Sequence, residues 1–594
     1  MAKRDRRRQR TRRRPAVPAP ATSARNRGAW VLLPVALAAA VYLGALHNPF
    51  VYDDVATVVK NPSLRDLSNW RFVLGFSPFR PLVNVSYAVD TALWGLQPYG
   101  FHLTSLLLHA LDAALFWLLA SALLRDQALV ATPAAADAGS PRLAALGAAC
   151  LFAVHPMMTE AVGYASARGE LLCAALVFAC LLCARRAVIE RRRRLWVAAA
   201  LCWLLALASR ENAAMVPLVF LAWDRLLRPG SEDERRRRLW RLHLPLVALV
   251  ATGGAFRLAA YLRSETAALP REVWRHFCTE LPIYWRYLRL LLWPAGQSLV
   301  HPAQRVASPL QPAVLLAAAG MLAAGAAAWM LRRRFPLAVF GLVWFPLFLA
   351  PSSSLIPLVE LMAEHRVYLA SCGLFLIAGL GFARLDGWWR NAGRQPSLLP
   401  RALGMGVIAL LAVLTMARNE VWADPVTLWA DAARKAPLTW APHYALGDAL
   451  RDSRGCRAAV AAYRRAVELR PDDNRARLNL GICLAQLGER GPAKATFEAA
   501  LALDPRSPDV HNNLGWLANL DRQPDAARQH FQRALEIDPE NAVSLINLAT
   551  LDETVFDDPA EALRLCRELQ RLQPGSAAAG ACVERNERRL QAPG

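Results

Sequence analysis

Two adjacent carboxylates, Asp53 and Asp54, lie just beyond the first long apolar run of the chain, residues 30–46. The stretch that holds them, residues 47–80, also carries aromatic side chains, an Asn-Pro break and a closing arginine. Charged groups are costly at membrane depth, so acids retained at the end of a membrane helix mark a candidate site by default. We therefore interpret the two carboxylates as functional residues of a site rather than as solvated surface charges.

Further ionisable side chains occur in the turns between later apolar runs. The turns read HPMMTE, ARGE, SREN and AEHRVYL, and Arg80 and His102 close the first loop. The turns contribute His155, Glu160, Arg168, Glu170, Arg210, Glu211, Glu364, His365, Arg366 and Tyr368 to the candidate site. In a chain that alternates across a membrane, all of these turns reach the same face as Asp53 and Asp54. The alternative is a set of helix-end charges that satisfy one another.

The combination of acids and arginines suits one kind of chemistry. A carboxylate can deprotonate an acceptor hydroxyl as general base, or it can hold a metal ion. Arginines can bind a phosphate bidentately and stabilise the charge of a phosphate leaving group. Together they favour transfer of a sugar from a lipid-phosphate donor to a hydroxyl. A divalent metal is compatible with the acids, but the sequence does not require one.

The sequence lacks the motifs of several other chemistries. It contains no glycine-rich phosphate loop, which argues against a soluble nucleotide-sugar donor. It also contains no HExxH motif, no Ser/His/Asp order and no paired-cysteine ligand set. Its eleven cysteines are odd in number and scattered, so we expect no disulfide framework.

The 594 residues are 55% hydrophobic, and apolar runs crowd the first two thirds of the chain. A helix needs about 20 apolar residues to cross a bilayer. The predicted spans are residues 30–46, 103–124, 143–157, 169–184, 195–209, 212–223, 242–262, 311–331, 336–352, 367–383 and 401–417. Residues 281–293 are apolar but studded with arginine and aromatic side chains, so we predict an interfacial helix there rather than a span.

The formal net charge of +23 is concentrated in arginine blocks next to apolar runs. Such blocks flank the cytoplasmic ends of membrane helices, so we expect a cytoplasmic N-terminus and no nucleic-acid partner. The predicted domains are a basic cytoplasmic tail (1–29), a membrane domain (30–420) with a first outer loop (47–102), and an extracytoplasmic domain (421–594).

A period of 34 residues organises the last part of the chain. Prolines recur at 437, 471, 505 and 539, and glycines recur at 447, 481 and 515. This period and its small residues are typical of tetratricopeptide (TPR) repeats, each a pair of antiparallel helices. The predicted fold is therefore all-α, a polytopic membrane domain followed by a TPR solenoid whose concave face is available to a polypeptide.

Four motifs carry a family resemblance: NPFVYDD, LFAVHPMMTEAVGYASARGELL, ASRENAA and AEHRVYLASCG. In this order, followed by TPRs, they resemble the transmembrane-and-TPR-repeat-containing (TMTC) O-mannosyltransferases. The resemblance implies a GT-C membrane fold, a polyprenyl-phosphate-linked mannose donor and Ser/Thr acceptors in translocated proteins. It also implies that the acidic pair, here Asp53 and Asp54, is catalytic. The Ala- and Arg-rich composition favours a bacterial inner membrane, with undecaprenyl phosphate as the carrier.

The sequence departs from the family pattern at three places. It has Ala167-Arg168-Gly169-Glu170 where relatives often read GRAD, and Arg210-Glu211 where a Lys-Glu pair is common. It has Leu369-Ala370-Ser371 where Leu-Pro-Ser is familiar. The type of charge is kept in the first two, so the departures bear on the sugar and the acceptor more than on the class of reaction.

The sequence leads to a specific assignment of roles. Asp53 or Asp54 acts as general base, and the sequence does not distinguish between them, because adjacent acids can titrate as a pair. Arg80, Arg168, Arg210 and Arg366 are the candidate phosphate ligands. The candidate sugar ligands, which also orient those arginines, are Glu160, Glu170, Glu211, Glu364, His155 and His365. Two rivals remain: a non-catalytic membrane-anchored TPR scaffold, and a transporter or flippase for a lipid-linked sugar.

Overall fold

A computed structural model of the protein describes residues 29–130, 140–263, 270–302, 305–353, 360–392 and 398–591. The predicted basic tail lies outside these residues, except for its last one. The described residues form helices, turns and loops without a β-strand, so the prediction of an all-α protein is confirmed.

The first part of the chain contains sixteen α-helices among its described residues. They are α1 (Leu32–Tyr42), α2 (Trp70–Phe76), α3 (Pro81–Trp94), α4 (Pro98–Val130), α5 (Pro141–Val154), α6 (Thr159–Gly163), α7 (Arg168–Glu190), α8 (Arg193–Leu207), α9 (Val216–Leu226), α10 (Glu232–Arg238), α11 (Leu244–Leu262), α12 (Pro270–Leu292), α13 (Pro312–Leu331), α14 (Pro336–Leu349), α15 (Cys372–Asn391) and α16 (Leu398–Trp422).

Six helical stretches in the described part of the chain are long and apolar enough to cross a membrane. They are Ala29–His47, Pro98–Val130, Ala165–Glu190, Glu232–Phe256, Pro312–Leu331 and Leu398–Trp422. The pair Pro141–Val154 and Pro156–Gly163, bent by 54°, makes a seventh if it is counted as one span. The chain is thus a multi-pass membrane protein.

The eleven predicted spans therefore exceed the number that meets these criteria. All eleven overlap helices, but α8 and α9 have only 15 and 11 residues. The apolar helix Pro336–Ser352 is also short, and the last turns of α15 carry charged residues. Helix α12, which contains the predicted interfacial segment, is not among the six.

The core of the membrane part lies where α4, α5, α7, α14 and α15 meet. Small residues allow the closest approaches: Gly379 of α15 packs on the α5 backbone near Ala144 and Ala148, and Gly341 of α14 packs on Gly373 of α15. A Cβ at any of these glycines would overlap the opposing backbone. Such contacts are typical of helices packed within membranes.

The second part of the chain contains ten helices among its described residues. They are α17 (Pro425–Lys435), α18 (Trp440–Arg454), α19 (Cys456–Leu469), α20 (Asn474–Gln486), α21 (Arg490–Leu503), α22 (Pro508–Leu520), α23 (Pro524–Ile537), α24 (Ala542–Thr554), α25 (Pro559–Leu572) and α26 (Ala577–Gln591).

The periodic small residues explain how these helices pair. Gly447, Gly481 and Gly515 each face an aromatic ring of the next helix, from Tyr463, Phe497 and Phe531 respectively. A Cβ at each glycine would overlap that ring, so glycine is what lets the two helices of a repeat approach. The TPR solenoid predicted from the 34-residue period is confirmed.

The expectation that the cysteines form no disulfide framework is wrong. Cys456 is bonded to Cys483 and Cys566 to Cys582. Each pair joins two successive helices of the repeat region, whereas the seven free cysteines all lie in the membrane part. The pairs are 27 and 16 residues apart, so only the folding of the helical hairpins brings them together.

The repeat region begins in direct contact with the membrane part. Trp422 and Trp429 share an apolar cluster with Val51 of the first loop and Leu299 of the loop after α12. An ion pair of 2.8 Å joins Arg418 of α16 to Asp431 of α17. We call this segment, Arg418–Lys435, the joint, and the end of the membrane part that contacts it the repeat-proximal end. The predicted boundary at residue 420 falls inside the joint.

Candidate active site

The two adjacent acids of the first loop have different surroundings. Asp54 is fully buried; its carboxylate accepts hydrogen bonds from Val51 N at 3.2 Å and from both N and Oγ of Ser166 at 2.7 Å. The carboxylate of Asp53 is exposed, and within the described ranges it accepts no hydrogen bond. Asp54 therefore holds the loop against the turn before α7, and the Asp53 carboxylate is left to accept hydrogen bonds from a ligand.

Burial raises the pKa of Asp54 to about 6, although the hydrogen bonds from Ser166 and Val51 oppose that shift. Asp54 is therefore mostly ionised at neutral pH and serves as an anionic acceptor for the three donors around it. Protonation would remove the charge that makes these hydrogen bonds strong.

The main chain of Asp53 is held firmly although its side chain is exposed. Its N–H donates to the Tyr164 hydroxyl at 3.1 Å, and its carbonyl accepts from Thr57 Oγ1 at 2.9 Å. The hydroxyls of Thr57 and Ser166 lie 2.7 Å apart. The first loop is thus bonded to residues 164–166 on both sides of the acidic pair.

A cavity of about 110 Å³ opens beside these hydroxyls. Its lining includes Thr57, Ser166, Ser77, Asn61 and the guanidinium-bearing residue Arg80. The cavity holds more than a single water, and hydroxyl, amide and guanidinium groups face a shared space. These are donors of the kind that bind phosphate oxygens.

Arg80 belongs to a compact group of alternating charges. Its Nη2 lies 3.3 Å from both carboxylate oxygens of Glu211, while Arg210 pairs with Glu170 at 3.0 Å. Burial and the nearby charge of Arg210 lower the pKa of Arg80, and Glu211 and Glu170 act in the opposite direction. The Arg80 side chain is 38% exposed, whereas that of Arg210 is 7% exposed, so Arg80 is the accessible member.

Arg168 occupies an internal position instead. Its side chain is fully buried and lies 2.5 Å from Asp90 of α3. It also donates to the Phe101 carbonyl at 2.7 Å and packs over the ring of Tyr87, 5.0 Å from its centroid. This guanidinium links α7 to α3 and α4, and it does not share the accessible position of Arg80.

A second polar group surrounds Glu160. The Glu160 carboxyl group is hydrogen-bonded to His365 Nδ1 at 2.5 Å and accepts the main-chain N–H of Glu364 at 2.9 Å. The Glu364 carboxylate accepts from Ser298 N at 2.7 Å and His301 Nε2 at 2.9 Å. Glu160 and Glu364 are both buried, so they tie the AEHR turn to α6 and to the loop after α12.

The two polar groups are close enough to act on one another. Burial and the charge of Arg210 lower the pKa of His365 to about 3, with opposing effects from Glu170 and Glu360. His365 is thus neutral, and its contact with Glu160 is a hydrogen bond rather than an ion pair. Burial and the charges of Glu360, Asp53 and Glu160 raise the pKa of Tyr52. Tyr52 thus lies within reach of the charges of Asp53 and Glu160, and His365 within reach of that of Arg210.

Three predicted residues are not brought to the accessible part of this network. His155 uses both ring nitrogens within the fold, accepting from Met157 N and contacting the Leu291 carbonyl at 3.0 Å. The buried Tyr368 hydroxyl lies between Asp112 at 2.8 Å and His109 at 2.7 Å. Arg366, 5% exposed, donates to the carbonyls of Glu360 and Leu361 and braces its own loop.

Sequence reasoning missed Tyr52 and Glu360. The Tyr52 hydroxyl donates to Glu360 Oε1 at 2.8 Å, next to Asp53. Glu360 lies four residues before Glu364 in an otherwise apolar stretch, which is the one signal that pointed to it. Across the part of the chain that the structure describes, no three His, Cys, Asp or Glu side chains are grouped so as to hold a metal ion.

Comparison with known proteins gives matches in both parts of the chain. A tetratricopeptide repeat family model matches residues 444–489 and 492–542, and a second matches residues 475–507. A crystal structure of TTC0263, described as a thermophilic TPR protein in Thermus thermophilus, covers 31% of this chain and 95% of its own, with 17% identity and a TM-score of 0.25.

Two curated relatives match most of this chain. Protein O-mannosyl-transferase Tmtc3 of Drosophila melanogaster is 24% identical over 545 residues, 78% of this chain and 58% of its own length. Protein O-mannosyl-transferase F38B6.6 of Caenorhabditis elegans is 23% identical over 479 residues, 74% of this chain and 63% of its own length. This chain therefore spans about three fifths of each relative. The resemblance to the TMTC O-mannosyltransferases that the four motifs indicate is confirmed.

Proposed function

We propose that this protein is a membrane glycosyltransferase of the GT-C type that moves mannose from a polyprenyl-phosphate donor to Ser/Thr hydroxyls of a polypeptide. One observation carries the proposal. An exposed carboxylate that accepts no hydrogen bond within the described residues, Asp53, lies one helical turn from Thr57, which lines the cavity beside Arg80. Arg80 thus lines the polar cavity, and Asp53 lies four residues before Thr57, another of its lining residues.

Asp53 is the general base in this proposal. The acceptor oxygen attacks the anomeric carbon of the mannose while its proton passes to the Asp53 carboxylate. The bond between that carbon and the phosphate oxygen breaks, and the electron pair leaves with the polyprenyl phosphate. Charge balances, because the donor phosphodiester becomes a phosphomonoester dianion as one carboxylate is neutralised. A single displacement inverts the configuration at the anomeric carbon.

Arg80 holds the donor phosphate and stabilises the charge that develops on it. The guanidinium is partly exposed and lines the cavity, where it pairs with Glu211. The buried Arg210 adds positive charge near Arg80. Arg168 and Arg366 do not contact the donor and stabilise the turns around the site. Asp54 positions Asp53 by bonding the loop to Ser166.

We place the site and the repeats on the extracytoplasmic side of a bacterial inner membrane. Two disulfides in the repeat region are what an oxidising compartment permits. The arginine-rich α10 carries the charge expected of a cytoplasmic helix end. The first loop contacts the joint, so the site and the repeats share one side. The repeats would then hold the acceptor polypeptide.

The proposal is tested with the purified full chain in detergent, radiolabelled polyprenyl-phosphate mannose and Ser/Thr peptides. Wild type is expected to transfer label with inversion. Asp53→Asn is expected to lower the rate by about 10²- to 10⁴-fold, the usual contribution of a general base. The matched control is Asp66→Asn, which changes another exposed acid of the same loop, one whose carboxylate accepts hydrogen bonds from Ser68.

Two results would refute the proposal. The first is absence of transfer from every lipid-phosphate sugar tried, with acceptor peptides still bound by the repeats, which favours the TPR scaffold. The second is transfer that Asp53→Asn leaves unchanged. Sugar export without covalent transfer would favour the flippase.

A further inference from the structure

The residue before Asp53 has an unusual backbone. Tyr52 has a φ of 52°, in the left-handed region that residues with a Cβ avoid unless their surroundings impose it. This conformation lets Asp54 turn inward to bond Val51 N–H while the adjacent Asp53 points outward. The orientation of the two acids thus depends on whatever holds Tyr52.

Three contacts hold the Tyr52 side chain. Its hydroxyl donates to Glu360 at 2.8 Å, its ring meets the Trp429 ring edge-on with 5.5 Å between centroids, and it stacks on Tyr164 at 6.5 Å. Tyr52 remains 39% exposed, so burial alone does not account for its conformation. Edge-on and offset aromatic pairs are favourable geometries.

Tyr164 repeats the arrangement on the other side of Asp53. Its hydroxyl accepts the Asp53 N–H, and its ring lies 5.8 Å from the Trp422 ring. Trp422 ends α16, and Trp429 lies in α17. Both tyrosines that flank Asp53 therefore pack on the two tryptophans of the joint.

The joint itself is fixed by charged contacts. Asp431 pairs with Arg418 at 2.8 Å and with Lys435 at 2.7 Å, and Lys435 also donates to the Gln297 carbonyl at 2.5 Å. The acidic partner is nearly buried, so these contacts are screened less than surface pairs. These contacts anchor α17 to α16 and to the loop after α12, next to the two tyrosines.

We propose that Trp429 and Tyr52 are positioning residues for Asp53, so that the first helix after the membrane part belongs to the catalytic unit and not only to the repeat array. The inference rests on the proposed function. It predicts that substitutions in the joint lower kcat and leave the KM for the donor unchanged. A displaced Asp53 slows the chemical step, whereas donor binding in the cavity is not affected.

The test compares Trp429→Ala, Trp429→Phe, Tyr52→Phe and the control Trp440→Ala in the full chain. Trp440 lies in the next helix, where it packs under Arg470 and Arg475 away from Tyr52. Transfer is measured with a short acceptor peptide. Trp429→Ala is expected to lower kcat by about tenfold with the KM for donor unchanged, and Trp429→Phe to restore most of it. Tyr52→Phe is expected to lower kcat by about two- to tenfold, the effect of one hydrogen bond.

Amide hydrogen exchange gives a second readout that is independent of activity. In Trp429→Ala, exchange is expected to rise at residues 51–57 and to stay unchanged in α20–α25; unchanged exchange at 51–57 would overturn the positioning role. An unchanged kcat, a loss confined to KM, or an equal loss in Trp440→Ala would also overturn it. Absence of transfer by wild type would instead refute the proposed function, and the exchange result would still decide whether the joint holds the loop.

Discussion

The two ends of the membrane part both carry buried acids, yet the acids are paired differently. Opposite the repeat-proximal end, three buried acids of the described residues are each paired with arginine. The pairs are Asp126 with Arg185 at 2.6 Å, Asp224 with Arg238 at 2.9 Å and Arg228 at 3.1 Å, and Asp386 with Arg390 at 3.0 Å and Arg401 at 3.1 Å. Trp223 Nε1 adds a donor to Asp126 at 2.8 Å. These ion pairs balance the charge of the acids within the protein and hold helices together.

The repeat-proximal end also contains buried acid–arginine pairs, Asp90 with Arg168 and Glu170 with Arg210, but two of its acids differ from these. Asp53 accepts no hydrogen bond within the described residues, and Glu211 serves both Arg80 and Arg210. A charged residue at a helix end is therefore a weak sign of a site, since both ends have them. The capacity left for a ligand distinguishes the two ends.

Exchange of Asp for Asn at both ends tests whether the two ends differ in function. Asp53→Asn is expected to lower transfer by about 10²- to 10⁴-fold and to leave thermal stability unchanged, because its carboxylate makes no described bond. Asp126→Asn is expected to leave the Arg185 guanidinium without its anionic partner. The free energy of unfolding should fall by about 3–5 kcal/mol, as it does when one partner of a buried ion pair is removed. Its activity per folded molecule should be retained. Equal stability losses in the two variants would erase the distinction.

The sequence predicted the outline of this arrangement and not its pairings. The 34-residue period revealed the repeats, and the alternation of apolar runs with charged turns brought Arg80, Arg210 and Asp53 to one end. Local sequence patterns cannot show that Arg168 forms a buried ion pair with Asp90, because the two are 78 residues apart and meet only when α7 packs on α3. For the same reason the sequence predicts Tyr368 in the site, although its hydroxyl is hydrogen-bonded to Asp112 and His109 inside the fold.

The sequence also could not predict which of Asp53 and Asp54 is buried and which is exposed. Both are adjacent acids in a loop, and the choice depends on Ser166, which lies 112 residues after Asp54. The disulfides were hidden likewise, because two helices must pair before Cys456 meets Cys483. The surplus of predicted spans has a local cause: several apolar runs end in charged turns after fewer residues than a bilayer requires.

The arginines give a second test. Arg80→Ala is expected to lower kcat/KM for the donor by about 10- to 100-fold, since a hydrogen bond to a charged group contributes roughly 1.5–3 kcal/mol. Arg80→Lys should recover only part of this, because an ammonium cannot bind two phosphate oxygens in the same plane. The control is Arg185→Ala at the opposite end, which should lower stability and leave kcat/KM unchanged. An Arg80→Ala enzyme with wild-type donor kinetics would remove the phosphate role.

The pKa of Asp54 leads to a pH prediction. Transfer is expected to fall by about half at pH 6 and about tenfold at pH 5, as Asp54 takes up a proton and its bonds to Ser166 weaken. Unfolding does not explain this loss: because burial raises the pKa from 3.8 to about 6, the contribution of Asp54 to stability increases as pH falls from 6 to 4. Asp54→Asn should lose this step in the rate profile. A step that persists in that variant belongs to another group.

Glu211 gives the smallest expected effect and the finest test of the difference between the two ends. It pairs with Arg80 at 3.3 Å, and it must release that guanidinium before a phosphate can bind. Partly exposed pairs contribute little, so Glu211→Gln is expected to tighten inhibition by polyprenyl phosphate by up to about fivefold. An analogous change opposite the repeat-proximal end, Asp386→Asn, frees Arg390 and Arg401 where no substrate is proposed to bind, and should leave inhibition unchanged. Weaker inhibition in Glu211→Gln would show that Glu211 orients Arg80 for phosphate and does not compete with phosphate for this guanidinium. The Glu211–Arg80 pair would then be structural, like the acid–arginine pairs of the opposite end.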